Sequence, residues 1–112
     1  MRLIKLFIAG LALLPSVALA QLPPFQYLNI TGDATTLIRT GNGVLHTICL
    51  NKPTATETIA IYDGVSAAGT LIGTITIPTS PQPVCMLYDV GYGAGLTIVT
   101  ATATSDITVS YR

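Results

Sequence analysis

His46 is the single histidine of the chain, so acid–base chemistry near neutral pH would have to pass through it. A hydrolytic triad would also need a serine and an acid beside it. The serines beyond the N-terminal segment are Ser66, Ser80, Ser105 and Ser110, and none lies in a Gly-x-Ser-x-Gly elbow. His46 sits inside an apolar run, VLHTICL, which predicts a structural role in packing or at an interface. Glycoside hydrolysis needs two carboxyl groups facing across a cleft. Glu57 is the only glutamate, and the aspartates are few. No enzyme is expected.

Metal chemistry fares little better. His46 and Cys49 are three apart, which places them on opposite faces of a strand and argues against zinc. Asp63, with Asp33, Asp89 and Asp106, could supply oxygens to calcium if the fold gathered them. Aspartate is also an ordinary turn residue, because its side chain caps the local backbone. No cofactor is expected.

Cys49 and Cys85 are the two cysteines. In an exported chain an even count predicts a disulfide. Closing that loop would contribute roughly 3–4 kcal/mol in the chain-entropy picture. The alternative is two separate buried thiols. Of the tyrosines, Tyr62, Tyr88 and Tyr111 lie in alternating runs and are expected to pack in the core or at an interface. Tyr92, between Gly91 and Gly93, is the expected exposed ring, of the kind that could bind sugar. Asn29-Ile30-Thr31 matches a glycosylation acceptor, which matters only in a eukaryotic secretory route.

These residues are carried by a chain of 112, of which Met1 to Ala20 reads as a cleaved signal peptide. Arg2 and Lys5 precede the apolar run LFIAGLALL, Pro15 breaks it, and Ala18-Leu19-Ala20 supplies small residues for cleavage. The apolar run is shorter than the roughly 18–20 residues of a spanning helix, so no stable membrane anchor is expected after cleavage. Gln21 to Arg112 then forms one domain, exported to the periplasm or the outside. Without Arg2 and Lys5, the basic residues are Arg39, Lys52 and Arg112, against Asp33, Glu57, Asp63, Asp89 and Asp106. The domain is slightly acidic and has no basic patch, which makes nucleic acid a poor partner.

The elements that must position these side chains read as strands. After the lead-in QLPPF come Gln26 to Ile30, Ala34 to Thr40, Val44 to Leu50, Thr58 to Tyr62, Thr70 to Ile77, Val84 to Val90, Leu96 to Ala101 and Ile107 to Tyr111. Tyr27 and Leu28 are packing candidates in the first. Alternation groups Val44, His46, Ile48 and Leu50 on one face of the third. It also groups Ile59 and Ile61 with Leu71, Ile75 and Ile77 as core, leaving Ile72 among the threonines. Abundant Thr, Ile, Val and Gly disfavour helix. The expectation is an all-β antiparallel β-sandwich, jelly-roll or Ig-like, with about seven or eight strands. Asp63, Gly64, Ser66 and Gly69 in one loop, and Gly91, Tyr92 and Gly93 in another, are the expected contact sites.

Several phrases, in order, resemble small virion-associated proteins of tailed phages and prophages. They are Gly43-Val44-Leu45-His46, ending near Asn51; Thr58 to Asp63, followed by Ser66 to Thr70; Tyr88-Asp89; Gly95 to Thr100; and Asp106 to Arg112. The signal peptide and the two cysteines depart from that pattern. The resemblance implies a compact β-sandwich decorating a capsid or tail, with a protein partner or a second copy of itself and no enzymatic role. The signal peptide instead favours a secreted bacterial adhesion or carbohydrate-binding module, with a glycan as partner.

Overall fold

The computed structural model describes residues 24–101 and 106–112. The expected signal peptide, the start of the lead-in and the short connection at 102–105 lie outside them. Eight strands follow in order: β1 (Gln26–Thr31), β2 (Ala34–Thr40), β3 (Gly43–Lys52), β4 (Thr58–Asp63), β5 (Thr70–Thr76), β6 (Val84–Tyr92), β7 (Gly95–Ala101) and β8 (Asp106–Tyr111). No helix among the described residues is long and apolar enough to cross a membrane.

The strands form two antiparallel four-stranded sheets, β1-β8-β3-β6 and β2-β7-β4-β5. The pairings β1 with β8, β2 with β7, β3 with β6 and β4 with β5 nest within one another. The chain is thus a long antiparallel ribbon rolled over. The rolled turns join side by side where β3 meets β8 and β4 meets β7. Every connection except β4–β5 switches sheets. This order is a jelly roll, which decides between the two expected sandwich topologies.

The core lies between the sheets. Ile30, Leu45, Ile48, Leu50, Ile107 and Val109 of the first sheet meet Ile59, Ile61, Leu96 and Ile98 of the second. Full burial of each such side chain is worth about 1.5–3 kcal/mol. β-Branched residues at alternating positions make these pleated faces, as in Ile59 and Ile61 of β4 or Ile107 and Val109 of β8.

Two expectations fail at bulges. The register of β3 shifts between Leu45 and Thr47 against both neighbours, with His46 as the extra residue relative to β8. Leu45 therefore joins Ile48 and Leu50 in the core, and His46 leaves it. Likewise, β5 shifts between its partners Ile61 and Tyr62. Ile72 turns inward against the core, and Leu71 turns out to solvent, 52% exposed. Tyr27 is a third correction: Leu28 and Ile30 take the inner face of β1, so the ring stands outside, 74% exposed.

Candidate functional site

The two expected contact loops sit against each other at one end of the sandwich. Asp63 ends β4, and its carboxylate accepts the amides of Gly93 at 2.9 and 3.1 Å and of Ala94 at 2.8 Å. These amides hold the Asp63 carboxyl below the ordinary carboxylate range, Ala94 contributing most. The Gly64 amide donates to the Gly95 carbonyl, and the Thr97 hydroxyl donates to the Gly64 carbonyl at 2.8 Å. Within the first loop, Ser66 accepts the amides of Ala68 and Gly69. The loop closes on itself so tightly that a Cβ on Gly69 would stand 2.5 Å from the Asp63 carbonyl oxygen, and one on Gly64 2.8 Å from the Gly69 Cα. Asp63 thus serves as a brace between loops, and Val65 to Ala68 form the exposed tip.

Tyr92 is not an exposed ring. It is 3% exposed, because β6 continues through Gly91 and Tyr92 and only Gly93 and Ala94 make the turn. Its hydroxyl donates to the Arg112 carbonyl, and Gly43 leaves room for the ring. Burial raises its hydroxyl above the usual phenol range. The exposed tyrosine is Tyr27, and the alternation of Leu28 and Ile30 was the signal that places it.

Cys49 and Cys85 form a disulfide between directly paired positions of β3 and β6. It fastens the edge strand β6 to the interior of its sheet on the outer face. Such a bond fits an oxidising, exported environment.

His46 pairs with an acid, but as part of a surface clasp. Its Nδ1 lies 2.5 Å from Asp89 Oδ1. Both residues sit at register breaks, and Asp89 takes a positive φ of 48°. Phe25 stacks on the imidazole, with centroids 4.1 Å apart and planes 6° from parallel, and the Arg112 guanidinium lies 5.0 Å from the Phe25 ring centre. Among the described residues no hydroxyl bonds the other ring nitrogen, and no group of three or more His, Cys, Asp or Glu gathers for a metal. Asp33, Asp63, Asp89 and Asp106 are therefore not one calcium site. Glu57 is fully buried just before β4.

A polar network that the chain does not announce covers the outer face of the first sheet. The Asn29 side-chain amide donates to Asp106 Oδ1 at 2.5 Å and to the Ile107 carbonyl at 2.9 Å. The Asn51 amide donates to the same Asp106 oxygen at 3.1 Å and to the Thr108 hydroxyl oxygen at 2.9 Å. Asn29 and Asn51 hold the Asp106 carboxyl below its usual range. Asn29 is thereby committed to the sheet. The residues lie far apart in the chain, and only the β1-β8-β3 order joins them.

The outer face of the second sheet is different. One row crosses all four strands as Leu37, Thr97, Tyr62 and Leu71, and the next as Thr35, Val99, Ala60 and Thr74. None of these residues is charged. Leu37 and Leu71 stand 47% and 52% exposed at its two margins.

Fold and surface together define an eight-stranded jelly-roll sandwich with a disulfide-fastened edge and two chemically distinct outer faces. No protein-family model matches the chain, and no curated protein matches it.

Proposed function

We propose that the protein is an exported, non-enzymatic structural module of the phage-decoration type, which associates with copies of itself through the outer face of β2-β7-β4-β5. The observation that carries this reading is the uncharged row in which Leu37 and Leu71 are exposed, Tyr62 is half-buried and Thr97 is buried beneath them, with its threonine-flanked neighbour. Leucines half exposed at both margins cost solvation in a monomer and gain it back when covered. Absence of charge removes the desolvation penalty that would oppose burial of the face. The motif order from Gly43 to Arg112 supports the virion-type assignment, and the disulfide supports export. The paired turns Asp63–Gly69 and Gly93–Ala94 are contact elements at the rim of the same assembly.

Light scattering on the purified protein tests the reading. Oligomers that dissociate in a Leu71→Glu variant are the expected result. A wild type that stays monomeric at high concentration contradicts it.

A further inference from the structure

The Asn29–Asp106–Asn51 network holds its own sheet together, yet it uses only part of its hydrogen-bonding capacity. Both Asn29 amide hydrogens are taken, by Asp106 Oδ1 and the Ile107 carbonyl. Both Asn51 amide hydrogens are taken, by Asp106 Oδ1 and Thr108. These bonds fix the orientation of each amide. The carbonyl oxygens of Asn29 and Asn51, and Asp106 Oδ2, are left as acceptors with no hydrogen bond among the described residues. The Thr108 hydroxyl oxygen accepts from Asn51 and, at 3.5 Å, from Asn29, and is left with its own hydrogen to donate. The result is a fixed set of outward acceptors with one donor among them.

Tyr27 lies beside this set. It precedes Asn29 by two residues on β1, hence about 7 Å away on the same face. Its ring takes no part in the core, 74% exposed. The platform is stiff: the row through the network runs Asn29, Thr108, Cys49 and Cys85, so the disulfide closes it at one end. The hydroxyls of a pyranose offer both donors and acceptors to such a set, while the C–H face of the sugar ring covers an aromatic ring. A site with its polar groups already oriented forfeits little ordering entropy on binding. A cation is the poorer occupant, because the set holds one carboxylate and an aromatic ring on an open face.

We infer that the outer face of β1-β8-β3 binds neutral glycans, with the sugar ring on Tyr27 and its hydroxyls on Asn29, Asn51, Asp106 and Thr108. This face is opposite the one assigned to self-association, so the two assignments stand or fall separately.

The test is NMR titration of the purified protein with cellohexaose, mannohexaose and chitohexaose, following the side-chain amide signals of Asn29 and Asn51. Saturable shifts of those signals are expected with at least one of the three. Tyr27→Ala should weaken binding about tenfold, and Tyr27→Phe should change it less than about threefold. Tyr27 is exposed, so its replacement leaves the fold intact and decides the matter even if Asn51→Ala unfolds. Failure of all three sugars to shift these signals overturns the assignment. So does binding that Tyr27→Ala leaves unchanged, or a response to calcium alone without one to sugar.

Discussion

The Asp63 carboxylate accepts the Gly93 amide at 2.9 Å across two connections thirty residues apart in the chain. With Ala94 it makes one carboxylate the joint between the β4–β5 and β6–β7 turns. Its carboxyl is held below the ordinary range by those amides, so the folded form favours the charged state. That stabilisation is fully present above the carboxyl value of the unfolded chain, and is lost as pH falls through the lowered folded value. Asp63→Asn is therefore expected to lower the melting temperature at neutral pH and to speed hydrogen exchange at Gly93 and Ala94. The gap between wild type and variant should close on acidification. A gap that persists at low pH would remove Asp63 from this role.

Reduction of the Cys49–Cys85 bond is expected to cost roughly 3–4 kcal/mol, given the loop it closes. Urea unfolding with and without reductant measures this directly. The exchange of β6 amides should rise before that of β7, since β6 is the edge strand that the bond fastens. Equal unfolding midpoints under both conditions would show that the bond contributes nothing to stability.

The bulges and the core together give three contrasting substitutions. Leu45→Ala and Ile98→Ala should each cost about 2–5 kcal/mol, because both side chains are fully buried. In the dissociated Leu37→Glu background, Leu71→Ala should cost less than about 1 kcal/mol, because a single chain leaves that side chain on the surface. Chemical denaturation checks all three. A Leu71 cost equal to that of Leu45 would place Leu71 in the core and reject the register of β5.

All eight strands were legible in the sequence, because alternating Ile, Val and Thr between Gly- and Pro-bearing connections has few other physical solutions. The side on which a residue lands was legible only until a bulge intervened. One extra residue at His46 moves Leu45 into the core, and one at Ile72 moves Leu71 out. No local pattern marks either shift, since apolar residues stand on both sides of it. The count of cysteines left the Cys49–Cys85 bond as one of two outcomes, and the direct pairing of β3 with β6 decides it. The meeting of Asp63 with Gly93, and of Asn29 with Asn51 through Asp106, was not legible, because each depends on how the ribbon rolls. Tyr92 misled for a related reason: its flanking glycines suggest an exposed loop, but β6 runs on through it and its ring packs over Gly43, where a Cβ would clash, with its hydroxyl on the Arg112 carbonyl.

The Phe25 ring between His46 and Arg112 ties the start of the described chain to its end. Phe25→Ala is expected to cost about 1 kcal/mol from the lost stack. It should raise hydrogen exchange at the first amides of β1 while leaving the second sheet unchanged. Uniform loss of protection in both sheets would contradict a local role.

Self-association through Leu37, Tyr62 and Leu71 is the central claim, and the molar mass of the purified protein measured by light scattering tests it most directly. The wild type should run as an oligomer whose mass falls on dilution, and Leu37→Glu or Leu71→Glu should yield a folded monomer. A wild type that is monomeric throughout, or an oligomer indifferent to both substitutions, would contradict it.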